Sequence, residues 1–481
     1  MLIDNESQFP TTWNTSQQLL EELGPLLSET ATILTPASTG WDQTRSSSPR
    51  IKPQFIASVE VATEKDVQET VKYANRRNLH FLTVSGGHGW ASTLTKFNGG
   101  IRINMRKLNT AETRPDGKIA TVGGGMMQHE ITKSLYAQGK KLAVTGLCGC
   151  VSVIGPLLGG GHSVAQGSYG FAADNLVSAR VVLANSSVVV ASATENADLF
   201  WALRGAGQNF GIVTSFDIKV HDASENWVMT VVTFTQDKLE AFFETWNELE
   251  SEHKHTGMLV LSGLFFRNPE LDPGHPAINL QILSPASNPL TPVYASAFLS
   301  LSPIFHTTVD NIEYSNLYEA LGTHAESIMC RKDNNLSGFP TSFSSWDPAA
   351  MRAGFEIFSE LTSDAKFAYS AYILESYGRD GVEAVPEGEN AVALLERKLH
   401  ILASPLLWWE GGDEEVRRVA VGYGERIREA TRANNHAYLN YAVGGEALVD
   451  VYGGEERLER LRGLKRAWDP DNKFRFYVGI S

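Results

Sequence analysis

The feature that most constrains this chain is a glycine-rich stretch over residues 147–214. It contains Cys148 and Cys150, three consecutive glycines that begin at Gly159, and a second glycine run that ends at Gly211. Glycine has no Cβ, so a backbone of this composition can approach an anionic ligand closely and point its N–H groups at it. Such a stretch is compatible with a ligand site.

Length, charge and hydropathy narrow the classes of protein. The 481 residues predict two or three domains, and the formal net charge of -14 disfavours a nucleic-acid partner, whose phosphates it would repel. The sequence contains no run of about twenty apolar residues, so no membrane-spanning helix is predicted. The N-terminus lacks the basic and apolar regions of a secretion signal, which predicts a cytoplasmic location. Three cysteines are too few for a disulfide framework, and we expect no metal site.

The first half of the chain mixes helices and strands. Thr63 and Asp66 are spaced to cap a helix over residues 63–78. A short buried strand over 79–84 follows and runs into a glycine loop. Further elements are predicted as strands near 100–104 and 119–122, a helix after Gly123-Gly124-Gly125 that stops at Gly139, a hairpin over 180–184 and 187–193, and a short helix over 198–204.

After about residue 220 the strands become longer. They are predicted over 227–235, 258–266, 277–283, 367–375 and 399–409, with helices such as 237–250 and 414–433 between them. A regular alternation of strand and helix is absent, which favours an α+β class with an antiparallel sheet over a parallel one.

Three glycine runs, over 85–89, 123–125 and 159–161, each lie at the end of a predicted strand. Their spacing is not that of the Gly-x-Gly-x-x-Gly dinucleotide fingerprint, and no Gly-Lys-Ser/Thr of a P-loop occurs. On the residues alone the runs are compatible with a cofactor site or with tight turns.

Longer motifs carry a resemblance to a known family. The chain resembles the FAD-binding fold of the vanillyl-alcohol-oxidase and p-cresol-methylhydroxylase type, and within it the berberine-bridge-enzyme-like oxidases. The matching segments are Ser85-Gly86-Gly87-His88, Cys148 eleven residues before the triple glycine, Tyr169-Gly170-Phe171-Ala172-Ala173-Asp174-Asn175, residues 198–205, residues 209–214, Tyr438-x-Asn440-Tyr441 and Trp468-Asp469-Pro470.

The resemblance implies an architecture and a cofactor. An FAD-binding domain of two α+β subdomains would take residues 1–220 and be completed by a C-terminal segment, 431–481. A substrate domain, an antiparallel sheet backed by helices, would take 221–430. The protein would be a monomer or homodimer whose partners are a small-molecule substrate and molecular oxygen.

The resemblance also implies how FAD is held. His88 would attach to the flavin 8α-methyl group and Cys148 to ring carbon C6; a neutral imidazole and a thiolate are suitable nucleophiles. Cys150 is the neighbouring alternative, which strand alternation would place on the same face. The remaining residues predicted to bind the cofactor are Ser85, Gly86, Gly87, Gly89, Gly124, Gly146, Val153, Gly155, Gly159, Gly160, Gly161, His162, Tyr169, Asp174, Asn175, Gly211, Ile212, Val213 and Tyr441.

The chain departs from the family where a catalytic base is usual. The family often reads Ala-Phe-Pro-His-Arg and then a strand with Glu or Gln before a Trp. Here Ser404 falls at about the polar position, and Pro405, which is awkward in a central strand, follows it. Tyr438 is therefore the first candidate for the base, Asn440 a residue that orients it or the substrate, and Glu375 a reserve. His400 is a further reserve.

The expected activity is transfer of a hydride from a small alcohol or similar C–H donor, such as a secondary metabolite, to flavin N5. Val153 lies near where relatives gate oxygen, and its small side chain favours an oxidase that forms hydrogen peroxide. A dehydrogenase, an oxidative cyclase, and a flavin-fold cyclase or binding protein without net redox turnover are the alternatives.

Overall fold

The computed structural model describes residues 12–41, 48–253, 256–412, 414–431 and 435–481. These residues form three main sheets and the helices that cover them. Short 3-10 turns join several elements, at Gly24–Leu26, Ser92–Lys96, Ala172–Asn175, Gly207–Asn209, Gln236–Lys238, Tyr314–Asn316, Ile328–Cys330 and Ala365–Phe367. None of the described helices combines the length and the apolar character that crossing a membrane requires.

The first sheet has four strands in the order β1-β2-β4-β3. β2, β3 and β4 run parallel, and β1 is antiparallel to β2. The predicted helix over 63–78 is confirmed as a helix over 64–76, because Thr63 and Asp66 form the reciprocal capping box. The elements are α1 (Thr12–Leu23), β1 (Thr32–Leu34), β2 (Gln54–Glu60), α2 (Glu64–Arg76), β3 (Phe81–Val84) and β4 (Asn98–Asn104).

The second sheet has five antiparallel strands in the order β5-β6-β10-β8-β9. The predicted hairpin is the pair β8 and β9, and the two-stranded ladder of β7 and β11 lies apart from the main sheet. The elements are β5 (Ala111–Thr113), β6 (Ile119–Gly123), α3 (Gln128–Ala137), β7 (Lys141–Leu142), α4 (Ile154–Leu158), α5 (Gln166–Tyr169), β8 (Leu176–Val182), β9 (Val188–Ser192), α6 (Ala197–Ala206), β10 (Ile212–Lys219) and β11 (His221–Asp222).

The third sheet has eight antiparallel strands, which confirms the predicted antiparallel sheet. Seven follow the order β15-β12-β14-β13-β18-β19-β16, and β17 also pairs with β19. The strands are β12 (Trp227–Phe234), β13 (Val260–Phe266), β14 (Ala277–Pro285), β15 (Phe305–Ile312), β16 (Asn335–Gly338), β17 (Thr341–Phe343), β18 (Ala371–Tyr377) and β19 (Ile401–Trp409).

Helices accompany this sheet along the chain. They are α7 (Leu239–His253), α8 (Thr291–Ser300), α9 (Leu317–Leu321), α10 (Pro348–Thr362), α11 (Asp380–Glu383), α12 (Leu394–Lys398) and α13 (Glu414–Thr431). The predicted helix over 414–433 is confirmed as far as Thr431, and residues 432–433 lie outside the described part. α14 (Leu448–Tyr452) and α15 (Glu455–Trp468) follow near the C-terminus.

Alternation along β18 divides the third sheet into two faces. Tyr372 and Leu374 join the aromatic and aliphatic core under the helices. Ile373, Glu375 and Tyr377 point to the opposite face, because successive side chains of a strand alternate, and there they line a cavity. The helices therefore bury one face of the sheet and leave the other for the site.

Pro405 is accommodated at a gap in the ladder. β16 pairs with β19 at residues 406–409, and β17 pairs with it at 401–403. In that gap the Pro405 carbonyl accepts a hydrogen bond from the Phe339 N–H. The Pro405 nitrogen, which has no hydrogen to donate, faces the same gap, where neither β16 nor β17 pairs with it. A proline is thereby tolerated inside a strand of this sheet.

The C-terminal segment lies against the first half of the chain. Lys465 Nζ donates to the Asn209 carbonyl at 2.7 Å, and the Ile480 N–H donates to Asn209 Oδ1 at 2.9 Å. These contacts place Lys465 and Ile480 beside Asn209, while the domain division with boundaries near residues 220 and 430 stays a prediction.

Candidate active site

A cavity of about 780 Å³ lies between the glycine loops and the open face of the eight-stranded sheet. The loop 85–89 and the segment 146–156 contribute to one side, and strands β13 and β18 to the other. Residues 438–441 and 473–477 complete the wall. A cavity of this size suits a cofactor or another small molecule.

Most of the residues predicted to bind the cofactor line this cavity, and so do the three predicted catalytic residues. They are Ser85, Gly86, Gly87, His88, Gly89, Gly124, Gly146, Cys148, Gly155, His162, Gly211, Ile212, Val213, Glu375, Tyr438, Asn440 and Tyr441.

The other predicted residues do not line the cavity: Val153, Gly159, Gly160, Gly161, Tyr169, Asp174 and Asn175. Asp174 forms a buried ion pair with Arg397 at 2.7 Å. The Tyr169 ring stacks on the His221 ring, with their centroids 3.6 Å apart. A Cβ on Gly159 would lie 2.2 Å from Asn440 Oδ1. Of these three contacts, only that of Gly159 reaches a residue that lines the cavity, Asn440.

The glycines permit close backbone packing around the cavity. A Cβ on Gly86 would lie 2.9 Å from the Ser152 nitrogen, and one on Gly124 would lie 2.1 Å from the Val213 oxygen. Ser85 Oγ is buried, lines the cavity and has no hydrogen-bond partner among the described residues. A glycine-walled cavity with an unused hydroxyl donor fits a large polar cofactor such as FAD.

His88 lies among three sulfur atoms. Cys150 and Cys330 form a disulfide with a Cα–Cα distance of 5.9 Å, and Cys148 is a free thiol. Cys148 Sγ lies 3.4 Å from Cys150 Sγ and 3.8 Å from Cys330 Sγ, and His88 Nε2 lies 3.3 Å from Cys150 Sγ. His88, Cys148, Cys150 and Cys330 therefore form one cluster, which we call the sulfur cluster.

The sulfur cluster adds to one expectation and corrects another. The three cysteines form no framework but do supply one disulfide, because the chain brings Cys330 next to a pair that is distant in sequence. The segment around Cys148 and Cys150 is a turn rather than a strand. Proximity of these two sulfurs therefore comes from the turn and not from strand alternation.

Burial controls the protonation of the two predicted attachment residues. Burial and the nearby Lys332 cation lower the pKa of His88 to about 4, so its imidazole is neutral at physiological pH. Burial raises the pKa of Cys148 to about 11, so its thiol form predominates.

Glu375 is a buried carboxylate held between two phenols. Tyr377 donates its hydroxyl proton to Glu375 Oε1 at 2.9 Å, and Tyr441 donates to Oε2 at 2.8 Å. Burial raises the pKa of Glu375, although both hydroxyls favour its ionised form. The result is a proton acceptor in the cavity wall that is stronger than an ordinary carboxylate.

The Tyr438 hydroxyl is contacted by hydrogen-bond donors and, among the described residues, not by a group that could take its proton. Its phenol oxygen accepts from the Gly161 and His162 N–H groups, each at 3.1 Å, and from Asn440 Nδ2 at 2.6 Å. Burial raises the pKa of Tyr438 above its ordinary value. The phenol is therefore neutral at physiological pH, and Asn440 fixes its position.

A buried network behind Tyr438 was not predicted. Glu396 Oε1 contacts His162 Nε2 at 2.7 Å, and Oε2 contacts His436 Nε2 at 2.6 Å. Burial alone would raise the pKa of Glu396, but the two histidines outweigh it and lower the pKa to about 2. Glu396 lies eight residues before Ser404, and no pattern in the sequence marked it as the partner of two histidines.

Three further residues of the site also escaped prediction. Tyr377 lies two residues after Glu375, the spacing that places both on one face of β18. Lys332 Nζ donates to the Gly86 carbonyl of the glycine loop, and no local pattern marks it. Cys330 likewise has no motif around it. His400, a reserve candidate, is buried against Glu250 at 3.1 Å and does not line the cavity.

Comparisons with known proteins agree with this geometry. The FAD binding domain family model matches residues 56–192, and the berberine and berberine-like model matches residues 437–481. The FAD-linked oxidoreductase chyH of Penicillium rubens is 33% identical over 473 residues, covering 96% of this chain and 93% of its own length. The FAD-linked oxidoreductase chry5 of Gibberella zeae is 34% identical over 453 residues, covering 89% and 88%.

The chain therefore belongs to the FAD-linked oxidoreductases with a berberine-like C-terminal segment, and FAD is its cofactor. Solved structures share the fold. Xylooligosaccharide oxidase from Myceliophthora thermophila has a TM-score of 0.81 at 24% identity, with 97% and 99% of the two chains covered. Glucooligosaccharide oxidase from Acremonium strictum, described with 6-S-cysteinyl, 8α-N1-histidyl FAD, has a TM-score of 0.78 at 19% identity, with 98% and 99% covered.

Proposed function

We propose that this protein is an FAD-dependent oxidase of a small-molecule alcohol, with Glu375 as the base. FAD, when bound, would supply the hydride acceptor and the reduction of oxygen to hydrogen peroxide. The observation that carries the proposal is the Glu375 carboxylate, buried in the cavity wall and held between the hydroxyls of Tyr377 and Tyr441.

Glu375 is better suited than Tyr438 to remove the substrate hydroxyl proton. A general base works best when its pKa lies near the working pH, and burial moves the pKa of Glu375 upward in that direction. Tyr438 is a neutral phenol whose oxygen already accepts three hydrogen bonds. We therefore give Tyr438 and Asn440 the task of shaping the cavity and orienting the ligand.

The substrate part of the cavity favours an apolar molecule. Its sheet wall presents six aliphatic and aromatic side chains, and polar side chains such as Ser262, Arg267 and Gln281 lie beside them. The apolar side chains of this wall are Leu264, Phe266, Leu336, Ile373, Leu406 and Trp408. We propose that the oxidised alcohol is carried on an apolar, aromatic-sized body.

We also propose that His88 and Cys148 attach the flavin covalently. The neutral His88 imidazole has a free electron pair for bond formation. Cys148 is preferred over Cys150 because Cys150 is held in a disulfide with Cys330.

The test is an intact mass of the denatured protein together with a peroxide assay. We expect the mass of one FAD to stay on the protein, and to be lost only in the double variant His88→Ala/Cys148→Ser. We expect peroxide with apolar benzylic alcohols and little with xylobiose. Peroxide from xylobiose alone would contradict the proposed substrate class, and flavin that washes free from denatured wild-type protein would contradict the attachment.

A further inference from the structure

The sulfur cluster contains more reactive sulfur than flavin attachment uses. One bond from Cys148 to the flavin needs one thiol, yet two other sulfurs lie within contact of it, at 3.4 and 3.8 Å. The chain has three cysteines in total, and all three lie at this site. Because the Cys150–Cys330 disulfide lies in contact with Cys148, we ask what it does for that thiol.

We propose that the Cys150–Cys330 disulfide keeps Cys148 as a free thiol for its bond to the flavin. The inference rests on the proposed covalent attachment. Cys150 and Cys330 are positioning residues, because they act through Cys148. If either partner is lost, the other becomes a thiol beside Cys148, and the two are close enough to be joined.

The competing reaction can be written in full. In Cys330→Ser, Cys148 and Cys150 are both thiols. The thiolate of one attacks a low-molecular-weight disulfide such as oxidised glutathione and releases one glutathione thiol. The second thiolate then attacks the mixed disulfide, forms the Cys148–Cys150 bond and releases the second glutathione thiol. Two electrons pass from the protein to the small disulfide, and no thiol remains at Cys148.

The wild-type protein has an internal version of the same reaction. The Cys148 thiolate can attack Cys150 Sγ, and Cys330 leaves as a thiolate that takes up the proton; one thiol and one disulfide exist before and after. Cys148 Sγ lies 3.4 Å from Cys150 Sγ and 3.8 Å from Cys330 Sγ, so it sits beside the disulfide bond rather than in line with it. This exchange is therefore slow, because the thiolate must attack in line with the bond that breaks. The arrangement with Cys148 free therefore persists until the flavin binds.

The position of Cys148 does not depend on the disulfide alone. The Gly149 N–H donates to the Thr323 carbonyl at 2.9 Å, and Thr323 Oγ1 donates to the Leu147 carbonyl at 2.6 Å. These two bonds anchor the turn on both sides of Cys148. A variant that lacks both disulfide partners should therefore still present Cys148 to the cavity.

The test compares four holoproteins: wild type, Cys150→Ser, Cys330→Ser and the double variant Cys150→Ser/Cys330→Ser. Each is produced with FAD, alkylated without reduction, digested and mapped by mass spectrometry for disulfides and for the Cys148–flavin peptide. We expect each single variant to lose the Cys148–flavin peptide at least tenfold and to show Cys148 in a disulfide. We expect the double variant to recover the flavin peptide to within about twofold of wild type.

The recovery separates this role from a purely structural one, since a structural disulfide would leave the double variant as deficient as the single variants. Single variants that keep the flavin peptide, or a double variant that does not recover it, would overturn the inference. Failure of the proposed attachment looks different: wild-type Cys148 would then be alkylated and carry no flavin.

Discussion

Tyr441→Phe tests the base directly, because it removes one donor to Glu375 and little else. The hydroxyl that donates to Glu375 Oε2 at 2.8 Å is lost. The ring itself stays packed, with its centroid 5.7 Å from that of Trp90 and 5.3 Å from that of Tyr438. Tyr377 still holds the other carboxylate oxygen.

The size of the effect follows from the lost hydrogen bond. A hydrogen bond to a charged group contributes about 1.5–3 kcal/mol, and about 1.4 kcal/mol corresponds to one pKa unit. The Tyr441 hydroxyl stabilises the carboxylate form, so its removal should raise the pKa of Glu375 by about 1–2 units. A base with a higher pKa is deprotonated only at higher pH.

The assay is kcat/KM for peroxide formation measured from acid to alkaline pH. The ascending limb of the profile should move to higher pH by about 1–2 units in Tyr441→Phe. Tyr377→Phe is the matched variant and should move the limb in the same direction, because it donates to the other oxygen. Tyr438→Phe does not touch Glu375, so it should lower the rate without moving the limb. A limb that stays in place in both Glu375-contacting variants would refute Glu375 as the base.

Three further outcomes are expected. Glu375→Gln should lower kcat by about 10²–10⁴-fold without lowering the melting temperature, because the amide fills the same space without a buried charge. Glu396→Gln should lower the melting temperature most between about pH 4.5 and 6.5. The lowered pKa of Glu396 contributes stability that is lost as pH falls toward 2. The raised pKa of His436 contributes stability that is lost as pH rises above 6.5. Gly125→Ala should destabilise the fold by at least about 1–3 kcal/mol in urea unfolding, because its Cβ would lie 1.9 Å from a backbone oxygen.

Each of these outcomes has a control. Glu360→Gln removes an exposed carboxylate and should leave kcat unchanged. For the pH dependence, a melting-temperature loss that is the same at acid, intermediate and alkaline pH would contradict the ion pair. Gly422→Ala adds a Cβ on α13 with no neighbour within 4 Å and should stabilise by up to about 1 kcal/mol. A comparable loss in both glycine variants would contradict the steric argument.

Local patterns predicted the elements that depend on nearby residues. The capping box of Thr63 and Asp66, the hairpin of β8 and β9, and the antiparallel strands after residue 220 were all readable from spacing and alternation. Elements with weaker patterns were missed, such as β15, whose residues are largely exposed and carry no hydrophobic alternation. Element ends shifted by a few residues, because hydrogen bonds outside the window set them.

Site residues were predictable where they belong to a contiguous motif. They were not predictable where their role depends on contacts between residues that are distant in sequence. The glycine loop with His88, and Cys148 before the triple glycine, are contiguous signals. The partnership of Glu375 with Tyr441 joins residues 66 positions apart, and that of His162 with Glu396 joins residues 234 apart. No local periodicity encodes such contacts.

The sequence by itself determined the class of fold, the cofactor and the family, because these depend on short motifs whose backbone demands are local. The tertiary structure alone decided which carboxylate faces the cavity, which two cysteines pair, and which histidines share Glu396. Those outcomes depend on strand register and on the docking of distant segments. A shift of one residue in β18 would turn Glu375 to the opposite face of the sheet.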